Sequence, residues 1–327
     1  MPRLSEFELI DTLLKPLAVN APGEFALSDD AAVLPESPAG AALVMTKDAL
    51  AIGIHMLVDD PPGDMARKAL RVNLSDLASM GAKPIGFFMA LCIGRDTDEV
   101  FLKEFISGLA EDVEEFSIPL MGGDIIRQDG PFIVTITAVG SVKKEDVLRR
   151  SLAKPGDSLW VSGTVGDGAL GLLAARGELP SLSAAHQDFL SNRYHVPQPR
   201  IETGLSLAGL VRACIDVSDG LVADVGHMCK ASGVGCRIEQ SAIPLSPAAT
   251  ELLQSDVDVW STILTGGDDY ELAFAVPAER ESQITDLMRS GPIRLTRIGL
   301  FQSGVDANVV DANGVGVQFE TLGFQHE

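Results

Sequence analysis

The chain has 327 residues, with 46 acidic side chains against 25 basic ones and a formal charge of −21. Its hydrophobic share of 46% supplies material for packed cores and excludes bulk disorder. The acidity argues against nucleic acid and anionic membranes as partners, and no apolar run approaches the roughly 18 residues of a membrane-spanning helix.

Residues 4–17 carry the first helix signal, with Ser5 as a cap and Phe7, Ile10, Leu13, Leu14 and Leu17 on one face. Residues 41–46 read as a strand. The breaker Pro61-Pro62 precedes a helix over Met65–Met80, with Gly81 as its stop. An apolar strand is predicted over 84–92, then a helix capped by Thr97 or Asp98 that carries Val100 to Phe116. The run Phe132–Gly140 is rich in β-branched residues and reads as a strand. A charged stretch (Lys143 to Arg150) and Lys154-Pro155-Gly156-Asp157 then suggest a domain boundary.

Beyond it the pattern predicts a strand at 158–161, helices near 167–176 and 199–212, and a strand at 213–217. Helices near 221–232 and 247–254, a strand at 271–276 and two C-terminal strands complete the α/β (α+β) reading. The length suits two domains, divided here as 1–148 and 149–327. The N-terminus lacks the apolar block of a secretory signal. Cys92, Cys214, Cys229 and Cys236 show no CxxC spacing. They read as reduced thiols of a cytoplasmic protein, without a structural zinc site.

The acidic residues are concentrated in six places beside small residues: Ser28-Asp29-Asp30, Thr46-Lys47-Asp48, Asn73-Leu74-Ser75-Asp76, Gly122-Gly123-Asp124, Asp216-Val217-Ser218-Asp219-Gly220 and Gly266-Gly267-Asp268-Asp269-Tyr270-Glu271. Each alone reads as a turn former or a solvated face. Were the six to converge, their carboxylates would repel one another unless cations intervened. Carboxylates without His or Cys select hard ions, so the pattern suggests Mg²⁺ and phosphate oxygens, with the glycines allowing close backbone approach.

No Walker, protein-kinase or GxSxG motif is present. Val165-Gly166-Asp167-Gly168 has the composition of a phosphate cradle, but reads more simply as a strand-to-helix turn. His55, His186, His195 and His227 show no pattern that gives them a role, and Phe324 reads as a packing residue.

Taken in order, the strings SDDAAVL (28–34), TKDALAIGIH (46–55), KALRVNLSDLASMGAKP (68–84), GGD (122–124), RSLAKPGD (150–157), DVSDGL (216–221) and GGDDYEL (266–272), with GF at 323–324, resemble the thiamine-monophosphate kinase family. That family lies within the superfamily of aminoimidazole ribonucleotide synthetase. The resemblance implies a two-domain fold: an N-terminal mixed sheet with flanking helices that pairs in a homodimer, and a C-terminal α/β sandwich. It implies direct in-line transfer of the ATP γ-phosphoryl group to thiamine monophosphate, with several Mg²⁺ ions.

Carried over residue by residue, the resemblance makes Asp30, Thr46, Asp48, Asp76, Asp124, Asp216 and Asp219 metal ligands, with Asp48, Asp76, Asp124 and Asp219 central to catalysis. Phe116, Gly123, Asp124, Arg150 and Ser218 become ATP contacts. His55, Asp268 and Phe324 become contacts to thiamine monophosphate. This chain departs from the family at Lys47, where a hydroxyl residue is common, and at Met56, where an aromatic commonly follows the histidine. Two other readings are another ATP-dependent enzyme of the superfamily and, given Lys47, a non-catalytic Mg·ATP-binding module. The selenophosphate enzyme's N-terminal reactive Cys and the hydrogenase-maturation relative's C-terminal Cys are both missing here.

Overall fold

The computed structural model describes residues 6–18, 34, 39–290 and 294–324. They form two compact units, Met1–Leu77 with Ala82–Lys144, and Ala78–Gly81 with Glu145–Glu327.

The first unit begins with α1 (Glu6–Leu9), which continues as a π turn over Ile10–Leu14 and a 3-10 turn over Lys15–Ala18. The predicted helix is therefore helical but irregular, and Pro16 offers no N–H to an α ladder there. Its cap, Ser5, lies outside the described residues. Four strands follow: β1 (Ala41–Ala51), β2 (Lys83–Ile93), β3 (Leu120–Arg127) and β4 (Ile133–Lys143). They form a mixed sheet in the order β1-β4-β2-β3, with only the β2–β3 pair parallel. Helix α2 (Pro62–Ser79) starts with proline in its first turn, where the missing N–H costs nothing. Gly81, at φ +67°, ends the chain's helical course. Helix α3 (Glu99–Glu115) is capped by Asp98, whose side chain accepts from Phe101 N at 2.8 Å.

Alternation along the strands gives this sheet two unlike faces. In register, Phe87, Met89 and Leu91 of β2 stand beside Ala138, Ile136 and Val134 of β4, and all six are buried. The opposite face carries Met45, Lys47 and Ala49 of β1, Thr135 and Thr137 of β4, Ala90 and Cys92 of β2 and Ile126 of β3, all at least partly exposed. Helices α2 and α3 are joined by a buried ion pair. Arg71 donates to Asp112 through Nε and Nη2, both at 2.7 Å, and its Nη2 also reaches Glu115 at 2.6 Å.

The second unit contains β5 (Ser158–Ser162), α4 (Asp167–Ala175), α5 (Ala184–His195), α6 (Ile201–Leu207), β6 (Ala213–Asp216), α7 (Leu221–Ser232), β7 (Gly235–Glu239), α8 (Pro247–Ser255), α9 (Val259–Thr265), β8 (Leu272–Val276), α10 (Glu281–Ser290), β9 (Leu295–Gln302) and β10 (Ala307–Val310). The strands form one mixed sheet in the order β10-β7-β9-β5-β8-β6, in which β10–β7 is the parallel pair. Every residue of β5, β6 and β8 is buried, as expected of short apolar strands covered on both faces. Helix α6 is shorter than the predicted 199–212 because Gly209, at φ +76°, turns the chain first.

Candidate active site

In the first unit the side chains of Thr46 and Asp48 fall on the buried face of β1, because Asp48 is in register with Ile136 and Thr46 with Ala138. Helix α2 presents Asp76 to the same place, and the Thr46 hydroxyl donates to Asp76 Oδ2. The Asp48 carboxyl is pushed up to about 6, first by burial and then by the charge of Asp76 and a hydrogen bond to it. These are the effects expected of two carboxyls forced together in a poorly solvated place. The set offers only hard oxygen donors and carries more negative charge than it can comfortably hold, which fits a divalent Mg²⁺ ion.

Lys47 stands between Thr46 and Asp48 in sequence, but alternation turns it to the opposite, exposed face. Asp124 pairs in register with Ala90. It therefore also falls on that exposed face, at the edge strand β3, where its Oδ1 accepts from Ile125 N at 2.9 Å. Gly123 is needed for a separate reason: a Cβ there would lie 1.9 Å from Met89 O on β2. His55 sits on the turn after β1, where its Nδ1 accepts from Ala51 N at 3.2 Å. In the neutral ring the proton then resides on Nε2. Phe116 follows α3 and faces the Arg71 guanidinium, 4.9 Å from the ring centroid. Asp30 lies outside the described residues.

In the second unit β6 ends at Asp216, and Val217 to Gly220 lead into α7. The Asp224 carboxylate, on the first turn of α7, reaches back to accept from Ser218 N and Asp219 N, both at 3.0 Å, and from Gly220 N at 3.2 Å. This fixes the loop that displays Ser218 and Asp219. Asp224 nevertheless has its carboxyl raised well above the ordinary range, first by burial and then by the charges of Asp216 and Asp219. Ligand atoms of Asp219, Asp224 and His227 lie within 4.8 Å of one another.

Two further segments converge on this loop. Asp268 N donates to Ser218 O at 2.9 Å, and Tyr270 N donates to Val217 O at 2.8 Å. Phe324 N donates to Asp219 O, also at 2.9 Å. The approach is close enough that a Cβ on Gly267 would lie 2.3 Å from Ser218 O. Asp216, Ser218, Asp219, Asp268 and Phe324 are thus gathered around one loop.

Arg150 is placed elsewhere: its carbonyl accepts from Ser232 Oγ at 3.1 Å. Ser232 ends α7, whose 12 residues span about 18 Å. The backbone of Arg150 is therefore at the far end of that helix from Asp219.

The adjacent acids Asp268 and Asp269 have different duties. Asp269 is fully buried and accepts from Gly166 N at 2.7 Å and Gly168 N at 2.9 Å. Burial pushes its carboxyl up to about 8, against the lowering effect of those two bonds. The N–H groups of the glycine-rich turn are therefore taken by the protein's own carboxylate, which supports the plain-turn reading over a phosphate cradle. Glu271 is also buried, binding Ser162 Oγ at 2.6 Å, Arg193 Nη2 at 3.1 Å and the Arg200 guanidinium.

Sequence reasoning gave no place to Asp224 and no role to His227, and it counted Asp269 and Glu271 in the 266–271 cluster without separating their role from that of Asp268. For the α7 pair a helical signal existed: Asp224 and His227 are three apart, so they share a face just beyond Asp219.

The AIR synthase related protein N-terminal domain family matches residues 28–142, and the corresponding C-terminal domain family matches residues 154–312. The thiamine-monophosphate kinase of Caulobacter vibrioides is 40% identical over 303 residues, 92% of this chain and 85% of that protein. The chain belongs to the thiamine-monophosphate kinase family. A crystal structure of thiamine-monophosphate kinase from Stenotrophomonas maltophilia superposes with a TM-score of 0.85 at 37% identity, covering 96% of this chain and 98% of that one. A second kinase of the family, AaThiL complexed with AMPPCP and TMP, matches 100% of this chain and 99% of its own, with a TM-score of 0.78 and 29% identity.

Proposed function

We propose that this chain catalyses ATP-dependent phosphorylation of thiamine monophosphate, giving thiamine diphosphate and ADP. Family membership over nearly the whole chain supports the reaction class, and a relative complexed with an ATP analogue and TMP supports the substrates. The observation that carries the chemistry is the Thr46–Asp48–Asp76 group, a concentrated anionic site built wholly of oxygen donors.

Phosphoryl transfer brings two anions together, and the attacking group is a phosphate oxygen already ionised at neutral pH. No strong general base is required, which suits a site without a catalytic His or Cys. Positioning and charge neutralisation supply most of the rate. In this reading Mg²⁺ ions, when bound, neutralise and align the phosphates. Thr46, Asp48 and Asp76 hold metal in the first unit, as do Asp216 and Asp219 in the second. The family resemblance extends that role to Asp30 and Asp124. Gly123, Asp124, Ser218 and Phe116 serve ATP, and His55, Asp268 and Phe324 serve thiamine monophosphate; Arg150, whose backbone lies at the far end of α7 from Asp219, is left out of the ATP set.

The same reading includes a cytoplasmic homodimer. No helix among the described residues is long and apolar enough to cross a membrane. The half-exposed sheet face, with Met45 62% and Ile126 49% exposed, supports a second copy as its cover, since apolar groups on an open sheet face favour burial. The non-catalytic alternative drew on Lys47. Its ammonium stands on the face away from Asp48 and cannot substitute there for a cation. The reading is tested by incubating purified protein with thiamine monophosphate and ATP, with and without MgCl₂. Thiamine diphosphate is expected only in the complete mixture, and its absence from folded protein would overturn the assignment.

A further inference from the structure

Asp268 and Tyr270 are, among the described residues of the second unit, the non-glycine residues with left-handed backbone, at φ +71° and +52°. That conformation is unfavourable for a bulky aromatic side chain and persists only where its surroundings impose it. Here they do: Asp268 N is held by Ser218 O, Tyr270 N by Val217 O, and Asp269 between them is anchored to Gly166 and Gly168. With Asp269 committed to the interior, the half-buried Asp268 and Tyr270 meet, and the Tyr270 phenol donates to Asp268 Oδ1 at 3.2 Å.

An aspartate side chain turns about two torsions, and a hydrogen bond to one of its oxygens selects among them. The Tyr270 phenol, donating to Oδ1, favours one orientation of that carboxylate. A carboxylate so held suits the groups thiamine monophosphate offers: an amino substituent on its pyrimidine ring and a positively charged thiazolium. We propose that Tyr270 is a positioning residue that orients Asp268 toward thiamine monophosphate. The inference rests on Asp268 being a contact to that substrate.

Tyr270→Phe removes the hydroxyl and leaves the ring and backbone in place. The expected result is a rise in KM for thiamine monophosphate of about 3- to 10-fold, the scale of one ordinary net hydrogen bond, because the hydroxyl acts on the substrate only through Asp268. The KM for ATP, kcat and the melting temperature should hold. Asp268→Asn should raise the same KM, and the Asp268→Asn/Tyr270→Phe double variant should be no worse than Asp268→Asn, since the hydroxyl acts through the carboxylate. If Asp268→Asn leaves KM unchanged, the substrate role of Asp268 falls, and the positioning role with it. If Asp268→Asn raises KM while Tyr270→Phe does not, or if the two effects add, Asp268 keeps its role and the inference about Tyr270 is overturned.

Discussion

The carboxyls of Asp48 and Asp76 share a hydrogen bond, and burial together with the charge of Asp76 disfavours ionisation of Asp48. Removing one charge should therefore relieve repulsion in the empty protein while disabling the loaded one. Asp76→Asn is expected to lower kcat about 10²- to 10³-fold, the usual cost of losing one electrostatic stabiliser, with an unchanged or higher melting temperature in the absence of metal. A fall in both together would mean that Asp76 serves the fold. Lys47→Thr, by contrast, should leave Mg²⁺ dependence unaltered in a titration of initial rate. Thr46 and Asp48 could be read as neighbours from period-two alternation, and the same alternation separates Lys47 from them. Asp224 could not be read as the loop's anchor, because its partners are three backbone N–H groups that carry no sequence signature. Nor could the division of labour between Asp268 and Asp269, which depends on a positive φ at Asp268.

Elements rather than single groups set where these side chains stand. Helix α2 is placed by the buried pairing of Arg71 with Asp112 of α3. Asp112→Ala would leave that guanidinium buried without its main partner and should destabilise the protein by about 3–5 kcal/mol in denaturant unfolding. A change below about 1 kcal/mol would show that water or Glu115 takes over. Gly267 has the opposite profile. Its Cβ would press on Ser218 O, so Gly267→Ala should shift the Asp268 segment against the Ser218 loop. The expected loss in kcat/KM is on the order of 10²-fold, as for a misplacement of about 1 Å, and circular dichroism should show the fold retained. The long helices and apolar strands were legible from periodicity. Strands β3 and β7 were not, since Gly122-Gly123 resembles a turn and Gly235 opens a five-residue strand with a central Arg237. In β3 the glycine serves a close approach to Met89 O, a reason that exists only once β2 lies beside it. Helix α5 escaped notice because only Leu190, Arg193 and Tyr194 of its 12 residues are buried.

At the scale of the whole molecule, the formal charge of −21 is partly stored inside. Asp48, Asp167, Asp224 and Asp269 all have carboxyls raised chiefly by burial, Asp48 to about 6 and Asp269 to about 8. A carboxyl whose pKa rises on folding binds its proton more tightly in the folded chain. Stability therefore falls as pH rises through the folded values and is regained as pH falls toward 6. The metal-free protein should melt at a higher temperature at pH 6 than at pH 8.5, and MgCl₂ should raise the melting temperature most at the higher pH, where the carboxylates are ionised. A flat or reversed profile would show that other groups dominate. The two-domain α/β organisation was visible in the alternation of elements, whereas the strand orders β1-β4-β2-β3 and β10-β7-β9-β5-β8-β6 join segments distant in sequence and leave no local trace.

The most direct test of the central claim is ³¹P NMR of one reaction containing purified protein, ATP, MgCl₂ and thiamine monophosphate. Direct transfer predicts that thiamine diphosphate and ADP appear in equal amounts as both substrates decline, with no matching release of inorganic phosphate, and that the same conversion in Asp76→Asn is slower by about 10²- to 10³-fold. ADP and free phosphate without thiamine diphosphate, or no change in either substrate, would contradict it.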